Sequence, residues 1–167
     1  ALVTSGEHTL VDTDVVERLV DPLVHLVRNA VYHGIELPTD RVAKGKPEAG
    51  TIRLHAAHGG DSIMVEIEDD GAGLNLEKIK AKAVTAGLVQ PEQVRRMTEA
   101  EALQFIFEPG FSTAETIGGQ AGRGIGLDVV KQVIEGMNGH IEVQSCPNVG
   151  TKFVLHLPLT VLVARFT

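Results

Sequence analysis

A chain of 167 residues with 43% hydrophobic and 22% charged residues is long enough to bury one substantial core, which excludes a disordered segment. A formal net charge of -7 argues against a nucleic-acid backbone as main partner, though local basic groups can still meet a polyphosphate. One cysteine, Cys146, excludes an internal disulfide framework and suits a reducing, cytoplasmic setting, and no apolar run approaches the ~18 residues of a membrane span.

Residues 1–11 (ALVTSGEHTLV) alternate loosely and read as a weak edge strand. Thr13 or Asp14 opens a first helical turn to Val20, and Asp21 then caps a second helix with Pro22 in its first turn, where the missing N–H costs nothing. The stretch from Leu23 to Gly34, LVHLVRNAVYHG, organises the chain. At about 100° per residue, His25, Arg28, Asn29, Tyr32 and His33 share an arc of roughly 140°, opposite Leu23, Val24, Leu26, Val27, Ala30 and Val31. The spacing i, i+4, i+8 stacks His25, Asn29 and His33 in one row. A solvated face ordinarily carries Lys and Glu; this one carries an amide, imidazoles and a guanidinium, which suit a ligand. Taken alone, a solvent-facing helix with some histidines explains the stretch equally well.

Residues 35–50 hold two Pro and two Gly among several charges and read as a surface loop or a short helical turn. Ile52, Leu54 and Ala56, then Ile63, Val65 and Ile67, alternate with polar residues around the turn signal HGGD at 58–61, and predict a hairpin with one apolar face. The second strand runs into DDGAG, Asp69 to Gly73. A helix is predicted from Asn75 to Ala86, ending at Gly87, and Thr98 to Glu101 forms a capping box opening a helix to about Phe107. Residues 108–122 lack periodicity and predict a mobile loop. A helix from Gly124 to Met137 and two strands, one with Ile141 and Val143 and one with Phe153, Leu155 and Leu157, complete the pattern. No repeat or linker divides residues 1–167, and the abrupt ends read as one domain excised from a longer protein.

Asp69 accepts hydrogen bonds only, so it suits the exocyclic amine of adenine and repels the oxygen guanine presents there. Gly71 and Gly73 let the backbone approach a flat base; a simple Asp-Gly turn is the plainer explanation of DxGxG by itself. Gly122, Gly124 and Gly126 begin a helix, where backbone N–H groups bind phosphate. No strand precedes them, as a dinucleotide fold requires, and no Gly-Lys-Ser/Thr is present for a Walker loop. The amide oxygen of Asn29 suits Mg²⁺, and Lys78 and Lys82, four apart, can neutralise phosphates, although single lysines are usually solvated. The absence of H-E-x-x-H and of further cysteines speaks against zinc.

HLVRNAVYHGIE, VEIEDDGAGL, IFEPGFSTAET, GRGIGLDVVK and NVGTKFVLHLPLT, in that order, resemble the ATP-binding fold of histidine kinases, type II topoisomerases, heat-shock chaperone ATPases and mismatch-repair ATPases. Within that group they closely resemble the catalytic domain of CheA-type chemotaxis histidine kinases. The resemblance implies an α+β fold, a two-layer sandwich with a mixed, mostly antiparallel sheet on helices, and a lid loop over ATP. It implies that Asn29 holds Mg²⁺, with His25 and His33 near the triphosphate as catalytic groups and Arg28 beside them. Asp69 reads adenine over Gly73, and Thr151 backs the pocket. Lys78 and Lys82 approach phosphates; Phe107 and Phe111 flank the lid, which holds Ser112 and Thr113; Gly122, Arg123, Gly124, Gly126 and Leu127 frame the phosphate turn.

The implied reaction moves the γ-phosphoryl of Mg-ATP to a histidine on a separate phosphotransfer domain, in two-component signalling. Dimerisation and coupling domains of the same chain and, indirectly, a response regulator are the implied partners, with no nucleic acid and no membrane insertion. Tyr32 stands where the family usually has Asp, and Ala72 where it has Arg within DDGRG. These departures motivate the alternative of a nucleotide-responsive interaction module with little catalysis. A hydrolysing clamp of the topoisomerase type is disfavoured, because its usual Glu is replaced by His25.

Overall fold

The computed structural model describes residues 1–5, 13–111 and 126–158. The chain forms two compact units: Ala1–Leu74 with Gln132–Thr167, and Asn75–Lys131.

Among its described residues the first unit is built on five strands: β1 (Leu2–Ser5), β2 (Ile52–Gly59), β3 (Ser62–Asp69), β4 (His140–Cys146) and β5 (Gly150–Pro158). Their order is β1-β2-β3-β5-β4, parallel between β1 and β2 and antiparallel elsewhere. The mixed, mostly antiparallel sheet of the α+β expectation is therefore present. β2 and β3 join through Gly60 and Asp61, and Gly60 supplies the positive φ (58°) that such a two-residue hairpin needs. Alternation decides the faces: Ile63, Val65 and Ile67 of β3, and Ile141 and Val143 of β4, are buried.

Helix α1 (Thr13–Asn29) runs unbroken through Pro22, which corrects the expected start at Asp21. A proline inside a helix costs about 3 kcal/mol through a lost hydrogen bond and a ring clash. Here Leu19, Pro22, Leu26 and Ala30 are all buried, so proline lies on the apolar stripe whose packing offsets that cost. The α-helix also stops earlier than its pattern suggests. Ala30–Gly34 is a π turn, closed by the Ile35 N–H donating to the Ala30 carbonyl at 2.8 Å. α1 packs on β3, and the π turn on both β3 and β5. A short helix, α2 (Pro38–Ala43), interrupts the 35–50 segment.

The described residues of the second unit are helical. α3 (Leu76–Thr85) is capped by Asn75, whose Oδ1 accepts the Lys78 N–H at 3.1 Å. α4 (Pro91–Arg96) is not legible from apolar spacing, since Val94 alone of its residues is buried. The Thr98 hydroxyl accepts the Glu101 N–H at 3.1 Å to begin α5 (Glu99–Leu103), and a 3₁₀ turn (Gln104–Phe107) replaces the expected last helical turn. α3 packs on α4, α5 and the 3₁₀ turn around Ile79, Ala83, Ala102 and Leu103. The last helix, α6 (Leu127–Gly136), contains the unit boundary; the expected start at Gly124 lies outside the described residues.

Candidate functional site

The same alternation that buries Ile63, Val65 and Ile67 carries on to Asp69, the last residue of β3 and only 7% exposed. A carboxylate thus occupies a core-facing position at a strand end. Its ladder partner is Thr151 of β5, also buried, whose own partner is Ser145 of β4. The Ser145 and Thr151 hydroxyls are 3.2 Å apart, and Ser145 Oγ accepts the Leu74 N–H at 2.7 Å.

Two glycines shape the carboxylate's surroundings. Gly71 donates its N–H to Asp69 Oδ1 at 2.9 Å. A Cβ on Gly34 would stand 2.9 Å from Oδ2, and one on Gly71 would collide with the Gly34 carbonyl. Only glycine lets these two backbones and the carboxylate meet. Ala72 tightens the junction by donating its N–H to the Gly34 carbonyl and accepting the Asn148 N–H, both at 2.8 Å. The π turn therefore delivers the end of the organising helix to DDGAG. Ala72 works through its backbone, so the arginine usual at this position is not needed to hold the turn.

Burial pushes the Asp69 carboxyl above the usual aspartate range. Hydrogen bonds from the Gly71 and Thr151 backbones oppose this, and the charges of Asp70 and Glu36 add to it. A carboxylate has about four lone-pair sites, so these two donors leave room for an exocyclic amine.

Sequence reasoning missed the support beneath this turn. The expected surface loop at 35–50 contains Arg41, which is fully buried. Its guanidinium donates to Glu36 Oε1 at 2.8 Å, to Asp70 Oδ2 and the Asp70 carbonyl at 3.1 Å, and to the Pro47 carbonyl at 2.8 Å. Lys46 Nζ donates to Glu36 Oε2 at 2.7 Å and to the carbonyls of Asp70 (3.0 Å) and Gly71 (2.9 Å). The Thr51 N–H closes the network on Asp70 Oδ1 at 2.8 Å. Burial alone would raise the Glu36 carboxyl, but its Lys46 hydrogen bond, its own backbone N–H and the Lys46 and Lys44 charges hold it at about 2. The five-donor fork of arginine suits this role. The one available signal was Glu36, Arg41 and Lys46 crowding a single loop.

On the helix, His25 and Asn29 are half-buried, whereas Arg28, Tyr32 and His33 are exposed. The π turn interrupts the regular row before it reaches His33. Tyr32 is 70% exposed.

In the second unit, Lys82 Nζ lies 5.0 Å from the centroid of the buried Phe111 ring, which stacks on Phe105 at 6.5 Å. Lys131 Nζ stands 5.8 Å from the ring centroid of buried Phe107. Lys78 is exposed, and Gly126 and Leu127 are buried. Ser112, Thr113, Gly122, Arg123 and Gly124 lie outside the described residues.

The buried strand-terminal aspartate and its glycine turn lie on the α+β sheet of a chain whose family can be read from comparison with known proteins. Residues 17–161 match the histidine kinase-, DNA gyrase B-, and HSP90-like ATPases, and the chain belongs to that family. Within it, the chain is 48% identical over 98% of its length to the chemotaxis protein CheA of Treponema pallidum, and 45% identical over 93% to CheA of Bacillus subtilis. It spans 20% and 23% of those proteins. The resemblance to CheA-type kinases read from the five motifs is borne out. Among solved structures, the Erythrobacter litoralis EL346 blue-light activated histidine kinase shares the fold at TM-score 0.57 and 15% identity, over 98% of this chain and 36% of that one. The nucleotide-free catalytic domain of the histidine kinase ThkA shares it at 0.55 and 20%, over 94% and 76%.

Proposed function

We infer that this chain is the ATP-binding catalytic part of a CheA-like sensor kinase, and that it transfers the γ-phosphoryl of Mg-ATP to a histidine on a separate phosphotransfer domain. The observation that carries this reading is the Asp69 carboxylate, buried at the end of β3, with Gly34 and Gly71 against it and acceptor capacity left over. In this reading Asp69 takes the adenine amine. Its negative charge repels the guanine oxygen, and Thr151 backs the pocket.

The half-buried Asn29 offers an amide oxygen in the last turn of α1, one turn after His25. A hard oxygen donor suits Mg²⁺, which uses few protein ligands, so Asn29 is the residue that would hold it. When bound, the ion neutralises triphosphate charge. His25 orients or deprotonates the incoming imidazole, since an imidazole can both donate and accept a proton. The family resemblance alone assigns Lys78, Lys82 and the glycines Gly122, Gly124 and Gly126 to phosphates. Phosphoryl transfer is mostly positioning and charge neutralisation, which these groups supply. The partners proposed are the phosphotransfer domain, dimerisation and coupling domains, and indirectly a response regulator, in a cytoplasmic setting.

The test mixes the chain with a histidine phosphotransfer domain and γ-labelled ATP. Label on the partner's histidine, lost in Asn29→Ala, is expected. Calorimetry run beside it separates the outcomes: ATP bound with no label transferred replaces the kinase by a nucleotide-responsive module, and no ATP bound overturns both.

A further inference from the structure

A second group of chemistry-bearing side chains lies on the other face of the same sheet. His140 of β4 stands directly opposite His156 of β5, and Glu142 follows His140 by two residues, so all three emerge on one face. Thr151 and Ser145 are an odd number of positions from His156 and Glu142 on their strands, so the Asp69 row faces the opposite way. The two imidazoles stack with centroids 4.4 Å apart and planes 16° apart. Both turn toward one carboxylate: His140 Nε2 is 3.5 Å from Glu142 Oε1, and His156 Nε2 is 3.6 Å from Oε2. One ligand atom from each residue fits within 4.8 Å of the others. His156 Nε2 is shielded from solvent and has no hydrogen-bond partner among the described residues.

Two surface ion pairs are the plainer description, but they require two imidazolium cations stacked on each other, which repel. Exposed pairs of this kind contribute little in any case. The imidazole lone pairs lie in the ring planes and the rings stack at 16°, so the rings must turn from this pose for both Nε2 atoms and the carboxylate to meet one ion. Ligands at about 2.0–2.2 Å from a tetrahedral ion stand roughly 3.3–3.6 Å apart. The separations of 3.5 and 3.6 Å run to the two different oxygens of Glu142, and one atom from each residue lies within 4.8 Å of the others, so a modest side-chain rotation closes the set to that spacing.

We propose that His140, Glu142 and His156 form a transition-metal site of the Zn²⁺ class, with water as fourth ligand. Two imidazoles and a carboxylate select Zn²⁺, Cu²⁺ or Ni²⁺ over Mg²⁺ and Ca²⁺, so this site is independent of the cation that accompanies ATP. β4 is the edge strand of the sheet. The ion ties that edge to β5 and covers part of its outer face. The sequence patterns that speak against zinc concern ligands close together in the chain. Here His140 and Glu142 come from β4 and His156 from β5, and strand register brings the three together.

The test is calorimetry of the metal-stripped 167-residue chain with ZnCl₂, beside His140→Ala, His156→Ala, the double histidine variant and Glu142→Gln. One Zn²⁺ per chain is expected at this site, with affinity at least tenfold weaker in each variant. Zn²⁺ is expected to raise the melting temperature of the parent and not of the variants, and Mg²⁺ at the same concentration to leave it unchanged. The chain has seven histidines, so five remain to bind zinc elsewhere in the double variant. Unchanged stoichiometry and affinity in that double variant overturns the proposal, as does a parent with no saturable binding. Glu142 is exposed, so Glu142→Gln removes a ligand without disturbing the core, and metal-free circular dichroism checks that each variant is folded.

Discussion

Replacing Asp69 with asparagine changes one carboxylate oxygen into an NH₂ group while keeping the side chain's shape. The Gly71 N–H, 2.9 Å from Oδ1, requires an acceptor on that side, so the new NH₂ takes the place of Oδ2. A donor then faces the adenine amine, and one charge-assisted hydrogen bond is lost. Such bonds contribute about 1.5–3 kcal/mol, which is roughly a 10- to 150-fold loss of ATP affinity. The same NH₂ matches the guanine oxygen, so the ATP-to-GTP preference should fall further than ATP affinity alone. Folding should move the other way. Burial raises the folded pKa of Asp69, so the charged form is penalised and stability falls as pH rises through the ordinary and then the raised value. Asp69→Asn removes that penalty, so the nucleotide-free variant should be at least as stable as the parent at neutral pH. Calorimetry with ATP and GTP, beside urea unfolding, reads both effects. A stable variant that binds ATP as the parent does, with an unchanged preference, would refute the adenine assignment.

Gly34→Ala puts a methyl group 2.9 Å from Asp69 Oδ2. Overpacking of this kind costs about 1–3 kcal/mol, and thermal unfolding should show it together with weakened ATP binding. Arg41→Met leaves Glu36 short of a partner in the buried network, and chemical denaturation should show a loss of about 3–5 kcal/mol. Glu36 has a folded pKa of about 2 against an ordinary 4.5, so its contribution is present above pH 4.5 and disappears as pH falls toward 2. That depression corresponds to at most ~3–4 kcal/mol, and solvent screening reduces it. The stability gap between parent and Glu36→Gln should therefore close from about pH 5 down to about pH 2. A gap that persists at the acid end would show that Glu36 acts through packing rather than charge.

Local rules made much of the molecule legible. The period-2 pattern from Ile63 to Ile67 predicted β3, and in the structure the same alternation carries on to place Asp69 on the buried side of the sheet. The Thr98 cap and the hairpin at Gly60 were readable for the same reason: each depends on residues a few positions apart. Three other features depend on distant contacts. Pro22 sits inside α1 because burial of its helix stripe outweighs a local penalty that the sequence shows in full. The π turn at Ala30–Gly34 packs on strands distant in the chain, which helical periodicity does not encode. Arg41 is charged and lies in a segment rich in Pro and Gly, yet it is buried because Glu36 and Asp70 meet it there. Sequence alone determined the order of the motifs and the strand that ends in Asp69; the tertiary structure decided what holds the Asp69 turn in place, since that support comes from hydrogen bonds across 19 to 29 positions of chain.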